Sequence, residues 1–153
     1  PSNSIHSRTV SWWAEGPTGQ HIELGISEMN LFMALGQFGL SYELSGQHLL
    51  PIGTVYDPFV CRGLDALIYG LYVGSKMIFA GTPAGVSLSP EGGAHQSTVT
   101  PSLGIELPNL DFYEPAFARE VEWTLLEALR PTPAGADSIV AEIEAAAHRV
   151  LAA

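Results

Sequence analysis

Residues 77–82 read Met-Ile-Phe-Ala-Gly-Thr, an apolar run too short for a helix and closed at once by Pro83. A strand that alternates apolar and polar residues has one wet face. A solid run has none, and belongs in a parallel sheet covered on both sides. Its surroundings agree. Residues 49–56 form a second short run, weakened at Pro51 because proline removes a ladder donor, and residues 110–113 predict a third strand. Segments of helical period lie between them. Ser27 stands as an N-cap, Glu28 in the first turn suits the helix dipole, and Leu31, Phe32, Leu35 and Phe38 recur at helical spacing. This helix is expected to end before Gly46. Asp57 and Pro58 start a second helix as cap and first residue, running to about Gly74. Its residues Val60, Leu64, Leu67, Ile68 and Leu71 give a wide buried face, with Cys61 as a core thiol. Glu114 and Pro115 start a third helix, through about Leu129, and an alanine-rich last helix is expected over about 137–151. From about Ala84 to Pro108 the chain is rich in Gly, Ser, Thr and Pro and reads as one long loop, a kind that is often functional.

Strand and helix segments in alternation predict an α/β domain with a doubly wound, mostly parallel sheet and helices on both faces. Sheets usually have about five or six strands, and fewer are legible here, so the chain reads as an incomplete piece of a larger enzyme. Residues 1–19, with adjacent Trp12 and Trp13, form an irregular arm; 20–130 form the α/β domain; 131–153 form a linker and C-terminal helix leading toward a further domain.

Charge narrows the partners. The 153 residues include 6 Lys+Arg against 16 Asp+Glu, a net charge of −10, which argues against nucleic acid and anionic membranes. The single Cys61 allows no intrachain disulfide framework, and no histidine pair has the spacing of a helical zinc site, so no metal ligands are expected in this chain. With no apolar run near the ~20 residues of a membrane span and no signal pattern, a soluble cytoplasmic protein is expected. Charged residues make up only 14% of the chain, against about 25% usually, while 46% are hydrophobic. Part of the surface is therefore expected to be covered by another domain or subunit. Dilution by 16 glycines is the plainer alternative.

In open parallel sheets, ligands bind beyond the carboxyl ends of the strands. Three segments fall there: the turn through Leu24 and Gly25 to Glu28, the corner from Tyr56 to Phe59, and the loop from Glu91 to Ser97. Burial of Glu28 between Ile26 and Met29 would favour its protonated form, able to share a proton with a ligand nitrogen. On pattern alone the plainer reading is a first-turn acid that complements the helix dipole. His95, beside Glu91 in a glycine-rich loop, is a general acid/base candidate or simply an exposed loop histidine. His21 and His48 flank the first helix and read as crevice-lining or, more simply, surface groups. Tyr56 and Phe59 either stack on a planar ligand or pack in the core. Residues 70–76 look like a phosphate loop, but the segment is one residue short and leads from helix into strand, the reverse of the required order.

Taken in series, Gly25-Ile26-Ser27-Glu28-Met29-Asn30, Leu50-Pro51 leading into Tyr56-Asp57-Pro58-Phe59, and Pro90-Glu91-Gly92-Gly93-Ala94-His95-Gln96-Ser97 resemble the pyrimidine-binding domain of the transketolase superfamily of thiamine diphosphate enzymes. The resemblance is greatest to the homodimeric type of pyruvate dehydrogenase decarboxylating component and related 2-oxo acid dehydrogenases. It runs from about Trp12 to Leu129. It implies that Glu28 hydrogen-bonds the N1′ nitrogen of the aminopyrimidine and drives the proton shift that activates the thiazolium carbon. It implies that Phe59 stacks on that ring with Tyr56 close by, and that His95 approaches the substrate's reacting carbonyl. The cofactor implied is thiamine diphosphate, with Mg²⁺ and the diphosphate held by a companion domain. That domain's Gly-Asp-Gly motif does not occur here. The implied assembly is a homodimer, with a lipoyl-bearing acyltransferase as a further partner. Gln96-Ser97 after His95 resembles transketolase, whereas the pyruvate dehydrogenase subgroup has an acidic residue there, so both a 2-oxo acid and a ketose stand as substrates. The alternative from another class is a non-catalytic interaction or regulatory domain with a transketolase-like fold.

Overall fold

The structure is a computed structural model that describes residues 15–129 and 138–141. Most of the expected N-terminal arm, with Trp12 and Trp13, and most of the expected C-terminal helix lie outside those residues. The chain is an α/β domain, and among the described residues it is built on a four-stranded sheet in which every pairing is parallel.

In chain order the elements are α1 (Glu28–Gly39), α2 (Ser41–Ser45), β1 (Ile52–Tyr56), a 3-10 segment (Asp57–Gly63), α3 (Leu64–Tyr72), β2 (Ile78–Thr82), α4 (Thr100–Glu106), β3 (Leu110–Tyr113), α5 (Ala118–Ala128) and β4 (Ser138–Ala141). The strand order across the sheet is β1-β2-β4-β3. β2 is central, and Ile78, Phe79 and Ala80 are all buried, as its solid apolar run predicts. β1 lies at an edge, paired with β2 from Ile52↔Ile78 to Tyr56↔Thr82. Its Gly53 and Val55 are buried, while Ile52 and Thr54 on the other face are exposed.

The core lies where α1 and α3 pack on β1 and β2. Phe32, Leu35, Val55, Val60, Leu67, Leu71, Met77 and Phe79 form one cluster, and Phe32 meets Phe79 edge to face at 4.9 Å. α1 starts where expected, but Ser27 makes no side-chain cap; its carbonyl accepts from the Leu31 N–H at 3.0 Å. Phe38 and Ile68, expected inside, are exposed because each sits at the margin of its helix's apolar stripe.

Four further differences from the sequence reading stand out. The segment after Asp57-Pro58 is a 3-10 helix before it becomes α-helical. Cys61, expected as a core thiol, is exposed on it. The expected long loop contains α4, started by Pro101 in its first turn, and Gly104 lies so close to Phe112 that a side chain there would enter the ring. Finally, residues 138–141, expected to begin a helix, form β4 between β2 and β3. Pairing partners on both sides, together with the β-branched Ile139 and Val140, outweigh the helix propensity of the neighbouring alanines.

Candidate functional site

Tyr56 ends β1, so it stands at the carboxyl edge of the sheet beside Thr82 of β2. The chain then enters the 3-10 segment, with Pro58 in its first turn. A 3-10 helix has three residues per turn, so side chains three apart eclipse one another. Phe59 and Arg62 therefore lie one above the other, and Tyr56, the last residue of β1, stands just before them. The Tyr56 and Phe59 rings meet edge to face at 5.0 Å. The Arg62 guanidinium carbon lies 4.2 Å from the centre of the Phe59 ring, a cation–π contact.

Gly63 brings the start of α1 to these residues. A Cβ at that position would sit 2.7 Å from the Glu28 carbonyl oxygen and would run into the Phe32 ring. With glycine there, Arg62 Nη1 reaches Glu28 Oε1 at 3.8 Å. The Glu28 side chain is only 11% exposed and the Arg62 side chain 58%. Glu28 is thus largely enclosed, but not by the flanking Ile26 and Met29, which are themselves exposed, and it faces a cation.

His95 joins from the loop after β2. Gly85 and Ser97 form an isolated bridge, with the Ser97 N–H donating to the Gly85 carbonyl at 2.7 Å. The buried Ser97 hydroxyl donates to the Thr100 hydroxyl at 3.0 Å, which donates to the Asp57 carbonyl at 3.3 Å. This chain of bonds ties the loop to the start of the 3-10 segment. Gly81 permits the approach, since a Cβ there would meet Asp57 Oδ1 at 2.5 Å. His95 Nδ1 then lies 2.8 Å from the Tyr56 hydroxyl and 4.0 Å from Glu91 Oε2. Burial pushes the Tyr56 hydroxyl above the ordinary tyrosine pKa, and the Glu91 carboxylate adds to the shift.

The result is one row of side chains, Glu28, Arg62, Phe59, Tyr56, His95 and Glu91, along the carboxyl edge of β1 and β2. Glu28, Tyr56, Phe59 and His95 were singled out from sequence. Arg62 and the hydroxyl-to-imidazole bond were not; the signal for Arg62 was its three-residue spacing from Phe59. His21 lies 3.4 Å from Glu23, and His48 stacks on Tyr42 at 4.1 Å; both contacts lead away from the row. Among the described residues no group of three or more His, Cys, Asp and Glu side chains is placed to hold a metal ion. An apolar groove of about 160 Å³ between α1 and α3, lined by Met33, Gly36, Tyr69 and Val73 among others, contains none of the row. No helix among the described residues is long and apolar enough to cross a membrane.

A buried-edge carboxylate facing an aromatic ring can hold a planar, nitrogen-bearing group by charge and stacking together. The Arg62 guanidinium is held in this way. At the other end of the row, an imidazole with a hydroxyl and a carboxylate nearby can move a proton.

No family model matches the chain. The chain is 27% identical over 123 residues to a protein of Pseudomonas aeruginosa, the pyruvate dehydrogenase E1 component. The matched stretch is 79% of this chain but only 14% of that relative, so the chain spans a small part of the protein it is similar to. The similarity therefore relates this chain to the pyruvate dehydrogenase E1 component.

Proposed function

We propose that this chain supplies the aminopyrimidine-binding half of the active site of a thiamine diphosphate-dependent enzyme, either a 2-oxo acid dehydrogenase of the pyruvate dehydrogenase kind or a transketolase-like enzyme. The observation that carries this reading is the seat occupied by Arg62: a planar, nitrogen-rich group stacked on Phe59 and facing the Glu28 carboxylate. An aminopyrimidine ring has the same two requirements, an aromatic shelf and a carboxyl partner for a ring nitrogen, so the residues fit that half of the cofactor.

When bound, thiamine diphosphate supplies a stabilised carbanion for attack on a carbonyl. Glu28 holds a ring nitrogen of the aminopyrimidine, Phe59 orients the ring by stacking, and Arg62 yields its place on the shelf. His95 gives or takes a proton at the substrate's carbonyl oxygen. Mg²⁺ and the diphosphate fall to a companion domain, and a second copy of the chain and a lipoyl-bearing acyltransferase complete the assembly. Exposed apolar side chains such as Ile26, Tyr72 and Ile105 support a covered surface of this kind.

The test is titration of thiamine into the isotope-labelled chain, followed by amide NMR. Weak binding is expected, with shifts clustered at Glu28, Tyr56, Phe59 and Arg62 and lost in Glu28→Gln. Shifts that cluster elsewhere, or that persist unchanged in Glu28→Gln, would overturn the reading and favour a non-catalytic interaction domain.

A further inference from the structure

The row places Tyr56 between the aromatic shelf and His95, and its hydroxyl is bonded to the imidazole. The Oη to Nδ1 distance of 2.8 Å is that of a good hydrogen bond. Both partners are held by the fold. The Tyr56 ring is fixed at the end of β1 by the edge-to-face contact with Phe59. The His95 loop is anchored by the Gly85–Ser97 bridge and by the Ser97-to-Thr100-to-Asp57 bonds.

The direction of the bond decides what His95 presents on its other side. A phenol hydroxyl is a stronger donor than acceptor, and Nδ1 is the ring nitrogen within its hydrogen-bond reach. A hydroxyl that keeps its proton above the ordinary tyrosine range remains a donor at neutral pH. The competing group is Glu91, whose carboxylate would draw a proton onto Nδ1. At 4.0 Å it is beyond hydrogen-bond reach, and at 59% side-chain exposure it is well solvated. The nearer hydroxyl prevails.

We propose that Tyr56 is a positioning residue: its hydroxyl donates to His95 Nδ1 and fixes the neutral imidazole with its proton on Nε2, so that His95 offers a donor to a substrate carbonyl oxygen. The tautomer rests on the donor preference of a phenol and on the two distances to Nδ1; the carbonyl as recipient rests on the function proposed above. Tyr56 then serves the substrate end of the row through His95, while Phe59 and Glu28 serve the ring end. One strand terminus thereby divides the site into a stacking half and a proton-transfer half.

The experiment is ¹⁵N NMR of the histidine rings in the unaltered chain, without thiamine, at a pH where His95 is neutral, with His95→Gln giving the assignment. The expected spectrum has the His95 proton on Nε2 and an Nδ1 resonance displaced by an accepted hydrogen bond. In Tyr56→Phe, which keeps the ring against Phe59, Nδ1 should move to the position of an unbonded nitrogen and a minor form protonated on Nδ1 should appear. Glu91→Gln should leave both signals in place. A proton on Nδ1 in the unaltered chain would overturn the proposal, as would a tautomer that responds to Glu91→Gln and not to Tyr56→Phe. If Tyr56→Phe fails to fold, the other two samples still decide it: a proton on Nδ1 in the unaltered chain, or a tautomer that changes in Glu91→Gln, overturns the proposal. Because thiamine is absent throughout, this result is independent of the cofactor titration.

Discussion

The β1–β2 side of the sheet and the β4–β3 side place their apolar residues very differently. On the first side, Phe32, Val60, Leu67 and Phe79 are almost wholly enclosed between α1, α3 and the strands. On the second, α5 contains no buried residue, and Trp123 and Leu126 are 61% and 59% exposed. Both sides consist of parallel strands and helices, so secondary structure does not account for the contrast. Coverage does, because α1 and α3 lie against the first pair of strands and against each other, whereas α5 has no second helix beside it among the described residues. The row from Glu28 to Glu91 belongs entirely to the closed side. The residues that need fixed geometry are thus set on a finished core, while the open side offers apolar surface to other partners.

The sharpest way to break this contrast is to truncate one large side chain on each side. Phe32→Ala should cost about 3–5 kcal/mol of stability, the range for emptying a buried aromatic site. Trp123→Ala should cost no more than about 0.5 kcal/mol, as exposed positions do. Urea unfolding of both variants checks this, and equal losses would mean that the α5 face is covered after all.

Next comes the joint between the core and the row. Gly63→Ala forces a methyl group toward the Glu28 carbonyl and the Phe32 ring, an overpacking worth about 1–3 kcal/mol. It should also separate Glu28 from Arg62 and abolish the thiamine-induced shift at Glu28. Retained stability and retained shifts together would show that the close approach of Gly63 to α1 does not hold the row.

A smaller effect is expected from pH. The folded-state pKa of Tyr56 lies above its ordinary 10.0, so the folded chain holds this proton more tightly than the unfolded chain does. Its contribution to stability is complete below pH 10.0 and is lost as pH rises through the folded value. Urea midpoints measured across that range should fall more steeply for the unaltered chain than for Tyr56→Phe. Parallel slopes would remove Tyr56 from the proton balance of the closed side.

The smallest stability change should come from Arg62→Ala. Its ion pair with Glu28 is largely solvated on the arginine side, and such pairs contribute at most about 1 kcal/mol. With the guanidinium gone, the Phe59 shelf is vacant, and thiamine should produce larger shifts at Phe59 than in the unaltered chain. Smaller shifts would instead make Arg62 part of the ligand's own seat.

The closed side was also the legible side. The solid run of β2, the proline start at Pro58 and the helical spacing of Phe32 and Leu35 each carry a local signal that tertiary packing then reinforces, although Asp57, expected as the cap, is the first residue of the 3-10 segment. What the sequence hid depends on distance. In Ser138-Ile139-Val140-Ala141 only two β-branched residues point to a strand, too few to set against the alanine-rich sequence that follows until β2 and β3 are present to pair with them. α4 was obscured by the Gly, Ser, Thr and Pro around it, although Thr100-Pro101 is a reasonable helix start. Within the site, the residue types were readable but their linkage was not. The 3-10 winding of Asp57–Gly63 aligns Arg62 with Phe59, whereas an α-helix would have turned Arg62 partly aside.

The insertion of β4 between β2 and β3 has a consequence for how the chain matures as it is synthesised. β1 and β2 can pair as soon as both have left the ribosome, because the helix that joins them lies between them in sequence. β3 follows but acquires no partner in the sheet, since its neighbour is β4 and not β2. Until Ser138–Ala141 emerges, the nascent chain therefore carries β2 with one open edge and β3 with none of its backbone ladder formed. Open strand edges of this kind recruit other chains. Between the emergence of residue 113 and that of residue 138, these unpaired strand edges are open to other chains.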